Sequence, residues 1–139
     1  MRILMVEDNE GDIILTLEAL TDMRINNTVT IARDGELAIK MLSEGFLPDL
    51  VLLDINLPKV DGKDVLAYIK TREEIKHIPV IMLTTSTSEE DILETYRMHA
   101  NCYISKPVNY DKFSEVVNSV ERFWFNTVKL PMLSIYDEE

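Results

Sequence analysis

Short, uninterrupted apolar runs alternate with segments of helical period along this chain, and that alternation restricts the fold more than any other feature. Ile3-Leu4-Met5-Val6, Leu50-Val51-Leu52-Leu53 and Val80-Ile81-Met82-Leu83 are too short for helices and have no polar face. Runs of this kind are what strands buried on both sides look like. Each ends in a residue with chemistry. Glu7 and Asp8 follow the first, Asp54 the second and Thr84 the third, while Lys106 follows the shorter segment Tyr103-Ile104-Ser105. If the strands lie parallel, these trailing residues converge, because ligands of an open parallel sheet bind in the crevice outside the carboxyl ends of its strands.

The segments between the runs read as helices. Ile13, Ile14, Leu17 and Leu20 recur at helical spacing and predict a first helix, with these residues inward, running to about Met23. A strand is expected over Thr28 to Ala32, then a helix capped by Asp34 before Gly35, with Ala38, Met41 and Leu42 on one face and a stop near Gly45. After Asp54 the Pro and Gly content of 55–62 predicts a loop, and Val65, Leu66 and Ile69 mark a third helix. Pro79 opens the fourth strand, and Ser88 with Asp91 reads as a capping pair for a fourth helix with Ile92 and Tyr96 inward. A short fifth strand spans Cys102 to Ile104. Asn109 is placed to cap a last helix carrying Phe113, Val116, Val117, Val120 and Trp124. Five repeats of strand then helix imply an α/β fold, a doubly wound parallel sheet with helices on both faces.

A chain of 139 residues suits one domain, expected over 1–125, with an acidic tail at 126–139 and no output domain. Its 25 acidic against 14 basic side chains leave a formal charge of -11, which argues against direct binding to nucleic acid, since phosphates would be repelled. No apolar stretch approaches the roughly 20 residues needed to span a bilayer, and acids follow the N-terminal apolar run too soon for a signal peptide, so the reading is cytoplasmic. Cys102 stands alone, which excludes an internal disulfide and favours a small packed apolar residue.

Three carboxylates meeting at one sheet edge repel unless a cation lies between them. Oxygen donors without His or Cys favour a hard ion, and Mg²⁺ accepts one or two carboxylates while leaving positions for water and phosphate oxygens. Asp8 and Asp54 are the candidate direct ligands, Glu7 a ligand through water, and Asn56 a donor of its backbone carbonyl. A carboxylate beside Mg²⁺ can act as a nucleophile toward phosphorus, and Asp54, on the central strand, is best placed. Lys106 would balance charge on the phosphoryl group and the Thr84 hydroxyl would hydrogen-bond to it.

With Glu7-Asp8, Asp54, Thr84, Tyr103 and Lys106-Pro107 all at its characteristic spacing, the chain resembles a receiver domain of the two-component response regulators along nearly its whole length. The resemblance implies a flavodoxin-like sheet of order 2-1-3-4-5 and a cis bond before Pro107. It implies a histidine kinase, or a phosphotransfer protein of a phosphorelay, that donates its phosphoryl group to Asp54. It implies that Thr84 and Lys106 are then drawn in, that Tyr103 is a switch aromatic turning from solvent, and that the face of the fourth helix, fifth strand and fifth helix is reshaped. Such a protein is not an enzyme beyond its own phosphotransfer and dephosphorylation, and without an output domain it signals by docking. Thr85 departs from the small residue common there, and would hinder attacking water. The segment Phe123 to Pro131 is similar to the tail of single-domain regulators that partner phytochrome-type kinases, which implies a homodimer through that same face.

Two other classes share parts of this layout. A flavodoxin-type electron carrier needs a phosphate-cradling loop after the first strand, where Glu7-Asp8 is electrostatically wrong. A phosphatase of the haloacid dehalogenase type is the alternative with the same Asp, hydroxyl, Lys and Mg²⁺. It needs a second acid two residues after the nucleophile as general acid and base, and Asn56 stands there.

Overall fold

The computed structural model describes residues 1–21, 27–84 and 89–105 together with Asp111 and Glu115; Thr84, Ser105 and residues 89–91 are described by backbone alone. Its elements are β1 (Arg2–Val6), α1 (Glu10–Thr21), β2 (Thr28–Ala32), α2 (Gly35–Ser43), β3 (Leu50–Asp54), α3 (Gly62–Lys70), β4 (Val80–Thr84), α4 (Glu89–Arg97) and β5 (Cys102–Ser105). All strands pair parallel in the order β2-β1-β3-β4-β5. The expected strand and helix alternation is therefore present through β5. The predicted last helix with its Asn109 cap, the capping residue Ser88, the Met23 end of the first helix and the tail at 126–139 lie outside the described residues.

The period of two along each strand divides the interior into two cores. Leu4, Val6, Val51, Leu53, Val80 and Met82 point to the side covered by α2 and α3, where Ala38, Leu42, Val65, Leu66 and Ile69 meet them. Ile3, Met5, Leu50, Leu52, Ile81 and Leu83 point the other way, onto Ile13, Ala19 and Leu20 of α1. Burial on both faces is why these runs carry no polar residue until their last position.

Two inward assignments made from periodicity do not hold. Ile14 is 51 % exposed and Tyr96 45 % exposed. Small residues take the inner positions instead: Thr16 and Ala19 on α1, and Thr95 on α4, are buried. On α1 the buried residues Ile13, Thr16, Ala19 and Leu20 form one helical face that mixes large with small side chains, and Ile14, one residue on from Ile13, is turned about 100° off it, so hydrophobicity alone misplaced the face. Buried Thr95 satisfies its hydroxyl by donating to the Ile92 carbonyl at 2.9 Å.

Helix ends follow the sequence more closely. Asp34 caps α2 as expected, accepting from the Leu37 N–H at 2.7 Å. Asp61 does the same for α3, accepting from the Lys63 N–H at 3.0 Å, and Asn9 for α1, accepting from the Asp12 N–H at 2.9 Å. Two helices end in one motif with different residues. After α2, Gly45 at φ 100° donates to the Leu42 carbonyl and Phe46 to that of Met41; after α4, His99 at φ 71° donates to Tyr96 and Ala100 to Thr95. The left-handed conformation suits Gly45, whereas His99 carries a Cβ into it and is exposed. His99→Gly is expected to raise the urea midpoint by the equivalent of about 1 kcal/mol without changing the slope; an unchanged midpoint would remove strain as the explanation.

Below the sheet, the Lys70 ammonium at the end of α3 donates to the carbonyls of Lys76 (3.1 Å) and Ile78 (2.8 Å) and to Asn101 Oδ1 (3.2 Å). The same Asn101 oxygen accepts from the Val80 N–H at 2.9 Å, so one cluster ties α3 to the starts of β4 and β5. Its acceptors are neutral oxygens, and burial pulls Lys70 down to about 8.

Candidate functional site

Parallel in-register pairing assembles the site. Val6 of β1 lies level with Leu53 of β3, so the next residues along, Glu7 and Asp54, fall side by side at the carboxyl edge, one strand spacing apart. The Glu7 N–H still donates to the Ala32 carbonyl of β2 at 3.0 Å, which holds it in the sheet after the strand proper has ended. Asp8 then leaves the sheet toward solvent. Glu7 is 1 % and Asp54 4 % exposed, whereas Asp8 is open. One carboxylate oxygen from each of the three lies within 4.8 Å of the others.

Backbone donors fix two of these carboxylates. Glu7 Oε2 accepts from the N–H groups of Asp8 (3.1 Å) and Asn9 (3.3 Å). Asp54 Oδ1 accepts from the Asn56 N–H at 3.1 Å. Asn56, expected to contribute through its carbonyl, thus meets Asp54 through its N–H. Beneath the site, α3 begins directly against β3. A Cβ on Gly62 would stand 2.1 Å from the Asp54 carbonyl oxygen, and the Gly62 N–H donates to the Ile55 carbonyl at 3.0 Å. Only a residue without a side chain permits that approach.

The surroundings add charge. Glu10, at the start of α1, and Arg33, just after β2, form an exposed ion pair across the same edge; the guanidinium holds the Glu10 carboxyl below the usual carboxylate range, first through its hydrogen bond and then through its charge. Lys59 stands 3.9 Å from Asp34. The three clustered carboxylates offer oxygen donors alone, which suits a hard divalent cation better than zinc or copper.

A family model for the response regulator receiver domain matches residues 3–118. The chain is a member of that family. Among curated relatives, this receiver domain is 42 % identical over 135 residues to the response regulator Rcp1 of Synechocystis sp., spanning 93 % of this chain and 92 % of the relative. It is 38 % identical over 134 residues to a probable methanogenesis regulatory protein, FilR2, of Methanothrix harundinacea, spanning 93 % and 86 %. Among solved structures it is similar to the Mn²⁺-bound form of Rcp1, with a TM-score of 0.78 at 42 % identity over 94 % of this chain and 98 % of that one. It is likewise similar to the phosphorylated cyanobacterial phytochrome response regulator RcpA, with a TM-score of 0.77 at 43 % identity over 94 % and 97 %. These matches give no support to a phosphatase of the haloacid dehalogenase type.

Within the receiver domain the structure brings together Glu7, Asp8, Asp54 and Asn56. Leu83 lies level with Asp54, so the Thr84 backbone stands one residue further along β4, level with Ser105 of β5. The Thr84 side chain, Thr85, Lys106 and Pro107 lie outside the described residues. Tyr103 is half-buried on β5 and packs against the core on the α2 and α3 side. Cys102 is half-buried as well, and burial pushes its thiol up. His77 and His99 are exposed, in keeping with a surface role. No helix of the described residues is long and apolar enough to cross a membrane.

Sequence reasoning missed one site contributor, Asn9, and one contact between helices, made by Lys63. Asn9 both caps α1 and donates its N–H to Glu7; an Asn three residues before Asp12 was the signal for the cap. Lys63, in the first turn of α3, donates its Nζ to Glu94 Oε2 of α4 at 2.9 Å, a pairing across 31 positions for which the sequence carries no local sign.

Proposed function

We propose that Asp54 is the phosphoacceptor of a Mg²⁺-dependent phosphotransfer from a histidine kinase, or a phosphotransfer protein, acting in the cytoplasm. The observation that carries this reading is the convergence of three carboxylates, two of them buried, at the carboxyl edge of a receiver sheet. An Asp54 carboxylate oxygen attacks phosphorus as the bond from phosphorus to the donor nitrogen breaks, and the electron pair leaves on the imidazole. Mg²⁺, held by Asp8 and Asp54, by Glu7 through water and by the Asn56 carbonyl, would neutralise the phosphoryl oxygens. The Asn56 N–H already orients Asp54. Thr84 and Lys106 then engage the phosphoryl group and Tyr103 responds. The partner kinase is proposed to be a phytochrome-type light sensor, as the likeness to the phytochrome response regulator RcpA supports. The domain occupies 1–125 with the tail at 126–139, and it acts as a switch without turnover of free substrates.

The test is to incubate the full chain with Mg²⁺ and a small acyl-phosphate donor and weigh it intact. Wild type is expected to gain one phosphoryl group and Asp54→Asn none. Persistent labelling of the variant would overturn the assignment.

The output surface is proposed to be α4, β5 and the last helix, used for docking a target and for a homodimer. Leu93 (54 % exposed) and Tyr96 lie one helical turn apart on the outer side of α4, beside half-buried Tyr103 on β5. Sedimentation should show a dimer; a monomer both with and without phosphorylation would count against it.

A further inference from the structure

The described side chains of helix α4 bury little apolar surface. Of its described side chains only Thr95 is fully buried, Ile92 is half-buried, and its large apolar residues Leu93 and Tyr96 face solvent. Its C-terminal end is fixed through His99, Ala100 and the Asn101 N–H, which donates to the Val80 carbonyl at 2.9 Å. Upstream of that anchor, a contact among the described residues that ties it to the neighbouring helix is polar. Lys63 Nζ donates to Glu94 Oε2 at 2.9 Å from a half-buried side chain.

Lys63 is itself held against the phosphoacceptor strand. It follows Gly62, whose backbone is pressed onto the Asp54 carbonyl, and its own N–H donates to the Asp61 cap at 3.0 Å. The base of the contact is therefore rigid with respect to Asp54. Its far end sits on a helix that begins five residues after Thr84, with only 85–88 between β4 and α4.

We propose that Lys63 and Glu94 form an electrostatic latch that holds α4 in its unphosphorylated position, making Lys63 a positioning residue for phosphorylation of Asp54. The latch rests on the phosphoacceptor reading above. When Thr84 is drawn toward a phosphorylated Asp54, α4 is displaced while Lys63 is not, and the pair must lengthen. Linkage requires the converse: whatever weakens the pair favours the phosphorylated arrangement to the same extent.

The experiment is a double-mutant cycle on labelling by a small acyl phosphate with Mg²⁺, using Lys63→Met, Glu94→Gln and the double variant. Each single variant is expected to label about two- to fivefold faster than wild type, and the double no faster than Lys63→Met alone. Raising the ionic strength should speed wild type relative to the double variant. A merely structural loss would slow labelling or multiply in the double variant. Either of those results, or unchanged rates, would overturn the latch while leaving Asp54 as acceptor. Absence of label on wild type would remove the acceptor reading and the latch together.

Discussion

Chelating Mg²⁺ is expected to slow the labelling of Asp54 by at least about 100-fold and to lower the melting temperature of wild type by about 10 °C, with Asp54→Asn losing most of that thermal response. The rate effect follows from charge. An anionic nucleophile attacking an anionic phosphoryl group needs several kcal/mol of neutralisation, and each 1.4 kcal/mol is about tenfold. The thermal effect is mass action: a cation held by the folded state at about 100 times its dissociation constant stabilises by about 2.7 kcal/mol, and a domain of this size shifts by about 4 °C per kcal/mol. Without the ion, three carboxylate oxygens within 4.8 Å oppose folding, two of them on buried residues. Metal-free Asp54→Asn should therefore melt about 4 °C above metal-free wild type, since one of the three charges is gone. Equal Mg²⁺ responses of the two proteins, read by calorimetry, would place the cation elsewhere.

Gly62→Ala is expected to destabilise the protein by about 3 kcal/mol and to slow labelling, though Gly62 touches no ligand. The added Cβ would meet the Asp54 carbonyl oxygen at 2.1 Å and the Ile55 Cα at 2.7 Å, both backbone atoms that yield only if the end of β3 moves. That end carries Asp54, the proposed acceptor, so stability and labelling are expected to fall together. Gly11→Ala is the control, because its Cβ would meet only the Asn9 side chain, at 3.3 Å. Chemical denaturation of the two variants checks the contrast, and a Gly62→Ala protein as stable as the control would mean that α3 can slide off β3.

Much of this was legible beforehand because local physics dominates it. Apolar runs buried on both faces announce strands, and an Asp before a Gly announces the cap that Asp34 provides. Errors arose where a helix face was judged by hydrophobicity. Ile14 and Tyr96 read as inward, yet the buried faces run through Ile13, Thr16, Ala19 and Leu20 on α1 and through Thr95 on α4. The Lys63 to Glu94 pair was invisible because side chains 31 residues apart meet only when α3 and α4 stand next to each other.

The sequence by itself determined the parallel α/β class, the edge on which the chemistry gathers and the identity of Glu7, Asp8 and Asp54, since these depend on patterns within each strand and its trailing residue. The tertiary structure decided register and depth. Pairing Val6 with Leu53 sets Glu7 beside Asp54, and a slip of one residue would send either carboxylate to the other face. Register arises from how two cores pack against both sides of the sheet at once, and no single segment carries that information.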